Sequence, residues 1–298
     1  MKKTISIFLI ILTSITLQAT EADIKTTKDN KKQEKTYFHD RIYSLQEESE
    51  ETKIRAEIQF GRNLAARILG KYKLSDNQAV SDYVAKIGTG IASQMGRSEI
   101  QYYFAVIESD EINAFACPGG YIFITTGTIA KMKTEAELVG VLSHEVSHVN
   151  RKHVLKKINF SVKSQSTISE FGSIIGASSQ TAKLLMEKLL DEALSILFET
   201  GLDSDDELES DIDAVSMMVA LNYEWSEYQR FIGKLETHKE KEEDHSKTHS
   251  KTHPKPNERV KTMTNYIANL AYKVEKGRSH ENRFSKLAEN IVEYLIHM

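Results

Sequence analysis

The chain has 298 residues, 40% of them apolar and 28% charged, which supplies enough apolar surface for a packed core and is unlike a disordered protein. Its net charge of −4 leaves no concentrated excess of Lys and Arg, so a nucleic-acid partner is not expected. The single cysteine, Cys117, excludes an internal disulfide and points to a buried thiol.

Residues 1–22, MKKTISIFLIILTSITLQATEA, have the parts of a secretory signal peptide: Lys2 and Lys3, an apolar stretch from Ile5 to Leu17, then the small residues Ala19 and Ala22. That stretch is shorter than the roughly 20 residues of a spanning helix. An exported, soluble mature protein, periplasmic or secreted, is therefore expected. Residues 23–53 are dominated by charge and read as a peripheral leader. Apolar spacing then predicts a helix over 54–69 and a second one, opened by Leu74-Ser75-Asp76, that carries Val80, Val84, Ile87 and Ile91.

The pattern next turns to β-like runs at 102–107, 113–117 and 121–126, the last two joined by Pro118-Gly119-Gly120. Thr134 with Glu137 three residues on is a capping box, and it starts a helix through Leu138, Val141, Leu142 and Val149. Residues 161–200 read as helices with a Ser/Gly-rich break. Further helices are expected over about 206–221, 227–235, 257–275 and 281–297, with a polar, His-containing stretch before Pro254 and Pro256.

The helix opened by Thr134 carries S-H-E-V-S-H-V at 143–149. H-E-x-x-H puts the His144 and His148 imidazoles one turn apart on one face, within reach of one divalent ion, with Glu145 beside the place where a water would bind. Neutral nitrogen donors suit Zn2+, and a catalytic zinc keeps three protein ligands and an open position. The alternative is a polar helix face without metal. A third ligand decides between them, and the best source is DSDDELESDIDAVSMM, where Glu207 and Asp211 are i and i+4 beside a core stripe of Leu208, Ile212, Val215 and Val219. One carboxylate could bind the metal while the other accepts the outer N–H of a ligand histidine. Glu209 and Asp213 share the spacing, but Asp213 lies further round from that stripe.

HEVSH followed by E-L-E-S-D resembles the gluzincin metallopeptidases of family forty-eight, which includes the HtpX and BepA proteases and the CAAX prenyl endopeptidases. NAFACPGGYIFITTG, ALNYEWSEYQRFIGKL and THPKPNERV also look like that family's segments, in the same order from about Glu57 to Ile267. Ser210 stands where the family usually has alanine, and Asn222 where it has glycine. The resemblance implies an α+β fold: a mainly helical zincin-like domain over 54–275 with a small sheet beside the HExxH helix, and a C-terminal helix in 276–298 packing on it.

It also implies His144, His148 and Glu207 as ligands of one zinc per chain, Asp211 as the carboxylate behind a ligand histidine, and Glu145 as general base. His253 and Arg259 are implied as donors to the oxyanion. If the run from Asn113 to Cys117 is an exposed sheet edge, Asn113, Ala114 and Phe115 would hold an extended peptide through its backbone; the alternative is an ordinary buried strand. The soluble exported branch of the family, similar to BepA, fits best. Its expected substrates are unfolded or misassembled envelope proteins, with association with envelope complexes as a further partner expectation. Two rivals stay open: a proteolytically silent or autoinhibited zinc-binding, chaperone-like protein, and metal sequestration by His245, His249 and His253.

Overall fold

The structure, a computed structural model, describes residues 50–158, 180–239, 255–271 and 273–286. The unit that carries the expected site runs from Lys53 onward. Residues 53–71 form helix α1, and α2 spans Gln78–Met95, closed at its start by the Asn77 side chain, which accepts from the Val80 N–H. The helix start at Leu74-Ser75-Asp76 therefore moves two residues on. Leu74 instead bridges Ile107, and the Ser75 N–H donates to the Val106 carbonyl.

Strands β1 (Tyr103–Ile107), β2 (Ala114–Cys117) and β3 (Tyr121–Thr125) form a sheet of order β1-β3-β2, with β1 parallel and β2 antiparallel to β3. Alternation along the strands divides the core. Val106, Ala116, Ile122 and Ile124 join one apolar cluster, while Ile107, Phe115, Cys117 and Phe123 join the other. Both sides of the sheet are therefore buried. The Pro118-Gly119-Gly120 turn between β2 and β3 needs its glycines: both have positive φ, at 71° and 94°, where a Cβ is strained. Gly119 N–H donates to Glu57 of α1, which also takes two hydrogen bonds from Arg97. The turn, and with it the end of β2, is tied to a helix far off in sequence.

After the short helix α3 (Thr126–Lys131) comes α4 (Glu135–Asn150), whose start is the expected capping box: Thr134 accepts from Glu137 N–H and Glu137 from Thr134 N–H. The chain then forms α5 (His153–Lys157), α6 (Gln180–Ser195) with a wider turn at Ile196–Thr200, α7 (Ser204–Ala220), α8 (Trp225–Lys239) and α9 (Pro256–Ala268).

Two elements differ from what the spacing predicts. The buried face of α7 is Glu207, Ser210, Asp211, Ala214, Val215 and Met218, not the stripe of Leu208, Ile212, Val215 and Val219; only Val215 belongs to both. The helix turns its acids inward because charged and imidazole partners wait there. The helix expected over 257–275 ends at Ala268, since the following segment pairs with residues 222–224: Arg278 N–H donates to Asn222 O, and Arg278 O accepts from Glu224 N–H. Residues 281–286 are helical, as expected for the start of the last helix. The signal-like segment, residues 23–49 of the leader, the 161–178 break, the polar His repeat and most of the C-terminal helix lie outside the described residues, while residues 50–53 at the end of the leader are helical.

Candidate active site

Every residue of α4 from Glu135 to Val149 is buried, so its two histidines face packed protein. A helix with the i, i+4 spacing brings the His144 and His148 rings to 4.5 Å between centroids, nearly perpendicular at 85°. Their Nε2 atoms are 2.9 Å apart. α7 supplies the third group: Glu207 Oε2 is 3.4 Å from His144 Nε2, and Oε1 is 3.5 Å from His148 Nε2.

Donors about 2.0–2.1 Å from a tetrahedral zinc stand roughly 3.3–3.4 Å from one another. Two of the three separations match that spacing, and the third is short by less than half an ångström. All three groups are buried, and their donor chemistry, two imidazoles and a carboxylate, suits zinc. The residues fit the ion.

Behind His144 stands Asp211, whose Oδ1 is 3.0 Å from Nδ1. Asp211 is fully buried, and three other donors meet it: Tyr228 Oη at 2.7 Å, Arg259 Nε at 2.8 Å and Arg259 Nη2 at 2.7 Å. Burial alone would raise the Asp211 pKa, but the Arg259 guanidinium outweighs it and holds the carboxyl far below its ordinary range. Burial likewise works to lower His144, and hydrogen bonds to Asp211 and Glu207 overcome it, raising the ring to about 9. Tyr228 can come this close because residue 140 of α4 is glycine. A Cβ there would lie 2.4 Å from Tyr228 Cβ.

The outer nitrogen of His148 meets different partners, His153 Nδ1 at 2.8 Å and Ser210 Oγ at 3.3 Å. Burial lowers the His153 pKa. Glu145 is 5% exposed and borders two clefts, one lined with Asn113, Ala114, His144, Tyr228 and Arg259, the other with Ala114, His148, Leu197 and Glu207. Burial raises its pKa to about 7, against the lowering effect of His144. A buried carboxylate of raised basicity beside two imidazoles and a third donor can move a proton to and from a water in the cleft.

Residues 78–267 match the description of Peptidase family M48. The chain belongs to that family. Peptidases of family M48 are metal-dependent, in keeping with the His144, His148 and Glu207 cluster. Among curated relatives, the beta-barrel assembly-enhancing protease of Escherichia coli strain K12 is 26% identical over 121 residues, 40% of this chain and 25% of that protein. The mitochondrial metalloendopeptidase OMA1 of Schizosaccharomyces pombe is 35% identical over 78 residues, 26% of this chain and 23% of that protein. A match to the Bos taurus OMA1 metalloendopeptidase has 36% identity over 62 residues, 21% of this chain and 12% of that protein. The chain thus spans a quarter or less of the length of these relatives.

Within the M48 match the structure brings together His144, Glu145, His148, Glu207, Asp211 and Arg259. Arg259 commits Nε and Nη2 to Asp211, and Nη2 also to Tyr228, so its geometry is that of a clamp behind His144. Asn113 and Ala114 reach the first cleft, and Phe115 lines the second while its ring packs on Phe198, 4.5 Å between centroids. His253 lies outside the described residues. Sequence reading missed Tyr228, although it stands within the ALNYEWSEYQRFIGKL segment, and missed His153, which follows His148 by five residues and so falls off the helical spacing. Cys117 is buried, and burial pushes its thiol pKa up.

Proposed function

We propose that the chain is a zinc-dependent endopeptidase that hydrolyses peptide bonds of unfolded or misassembled proteins of the cell envelope. The observation that carries this reading is the convergence of His144, His148 and Glu207 from two helices at one buried point, with Glu145 beside it and an edge strand along the cleft. A bound zinc ion supplies Lewis acidity, which polarises the scissile carbonyl and acidifies water. Glu145 takes the proton of the attacking water and returns it to the departing amine, while Asp211, clamped by Arg259 and Tyr228, keeps His144 Nδ1 protonated and its Nε2 lone pair turned inward.

The edge strand β2 receives substrate as an added strand, which reads backbone rather than side chains and suits unfolded chains. Asn113 borders the first cleft: its Oδ1 takes the Ala114 N–H, which removes that donor from the edge, while its buried Nδ2 has no hydrogen-bond partner among the described residues and stands beside the cleft. His253 is assigned as the oxyanion donor on the family resemblance alone. Export is supported by the signal-like residues 1–22, and among the described residues no helix is long and apolar enough to cross a membrane. The Escherichia coli relative is named for enhancing beta-barrel assembly, and an envelope substrate class is assigned to this chain in keeping with that name and with the signal-like residues 1–22.

The test is purification of the chain without residues 1–22, zinc analysis, and digestion of casein with and without a chelator. One zinc per chain and chelator-sensitive cleavage that Glu145→Gln abolishes are expected. Cleavage by Glu145→Gln at the parent rate would end the mechanism.

A further inference from the structure

The two histidines of the HExxH helix are not backed alike. His144 leans on a carboxylate, Asp211, whereas His148 leans on another imidazole, 2.8 Å away. Taking the zinc reading above as its basis, we infer that His153, whose Nε2 faces the carboxylates of Asp206 and Glu209, is the positioning residue that fixes the tautomer of His148.

For His148 Nε2 to offer a lone pair beside Glu207, its proton must sit on Nδ1. That N–H needs an acceptor, and His153 Nδ1 is the nearer of its two neighbours, with Ser210 Oγ half an ångström further. An accepting Nδ1 leaves the single proton of a neutral His153 on Nε2. There it faces Asp206 Oδ1 at 3.4 Å and Glu209 Oε2 at 3.5 Å, an electrostatic contact rather than a formed hydrogen bond. The opposite tautomer would aim the Nε2 lone pair of a fully buried ring at two carboxylates, and would place an N–H against the N–H of His148. The acids therefore set His153, and His153 sets His148.

Arg151, just past the end of α4, keeps one of these acids, Glu209, in place. It pairs with Glu209 at 2.5 Å and with Asp213 through Nε at 2.6 Å and Nη2 at 2.9 Å. Part of the acidic run at 205–213, which composition alone would assign to solvent, thus acts on the ligand His148 through one intervening ring. The same logic makes a cation bound at His153 Nε2 incompatible with this arrangement, because it would drive the proton to His153 Nδ1 and reverse the link.

The experiment measures the zinc dissociation constant of the full chain by competition with a chromophoric chelator, for the parent and for His153→Leu, His153→Asn and Asp206→Asn/Glu209→Gln. Outer partners of ligand histidines typically account for about 10–100-fold in metal affinity. His153→Leu is expected to weaken zinc binding by that factor. His153→Asn keeps an acceptor near the Nδ1 position and is expected to stay within about 3-fold of the parent, inside the spread of such effects. Unfolding of the metal-free proteins by circular dichroism verifies the fold, and a merely structural role would leave Asn as damaging as Leu.

Equal zinc affinity in the parent and folded His153→Leu, or equal loss in Leu and Asn, overturns the inference. Should His153→Leu not fold, the outer double variant decides: weakened zinc binding supports the link and unchanged binding overturns it. A parent chain that holds no stoichiometric zinc would fail the zinc reading itself, which the first measurement separates from this one.

Discussion

Replacing Arg259 by Met tests whether the charge network behind His144 is as closed as its geometry indicates. Arg259 is 2% exposed and Asp211 fully buried, so the substitution removes the cation and leaves an anion that water cannot reach. Removing one partner of a buried ion pair typically costs about 3–5 kcal/mol. Asp211 keeps the Tyr228 hydroxyl at 2.7 Å and His144 Nδ1 at 3.0 Å while losing the contacts to Arg259 Nε and Nη2, which places the expected cost near the lower end, about 3 kcal/mol. For a domain of this size each kcal/mol shifts the unfolding midpoint by about 2–4 °C, so a fall of roughly 6–12 °C is expected in metal-free protein followed by circular dichroism. Adding Asp211→Asn neutralises the stranded carboxylate, and the double variant should recover at least about 1 kcal/mol relative to the sum of the single ones. A loss below about 1 kcal/mol for Arg259→Met, or strict additivity in the cycle, would refute the reasoning.

Two further outcomes follow from the packing and charge around the same helices. Gly140→Ala puts a methyl 2.4 Å from Tyr228 Cβ, so α4 and α8 must separate, and a destabilisation of about 1–3 kcal/mol is expected in urea unfolding; an unchanged midpoint would mean that the two helices are not in contact there. Asp213 is held below its ordinary value of 3.8: burial raises it, and the Arg151 guanidinium and the Ser147 hydroxyl outweigh that effect. A carboxyl lowered by folding contributes stability that is present above the unfolded value and is lost as the pH falls through the folded one. Asp213→Asn should therefore cost less than about 1 kcal/mol at pH 7 and flatten the decline below pH 4 in thermal melts; a decline identical to the parent's would exclude the pair as a contributor.

What was legible in the sequence was legible for local reasons. The Thr134–Glu137 box joins groups one turn apart, and the aromatic and β-branched runs at 102–107 and 121–126 sit within single strands, so each needed only its neighbours. The face of α7 was misread because hydrophobicity was taken as the mark of the inside. Glu207 and Asp211 are inside through pairing with His144, His148 and Arg259, which come from α4 and α9. The end of α9 was overextended for a related reason, since the backbone of Arg278 finds partners at Asn222 and Glu224 that no spacing rule connects. His153 escaped notice because it reaches His148 from α5 across a break at Lys152, whose left-handed backbone lies at φ 57° and ends the helical register.

The brevity of β2 has a mechanical consequence. A strand of four residues, with one side taken by β3, presents only a handful of backbone groups to a newcomer. With the Ala114 N–H already taken by Asn113 Oδ1, about three groups remain, and at about 0.5–1.5 kcal/mol net for each hydrogen bond that rail supplies roughly 1.5–4.5 kcal/mol, no more than the entropic toll of capturing a free chain. A polypeptide laid along it would slip on and off quickly unless side chains also lodged in the flanking clefts, so dwell time, rather than first contact, would sort one chain from another.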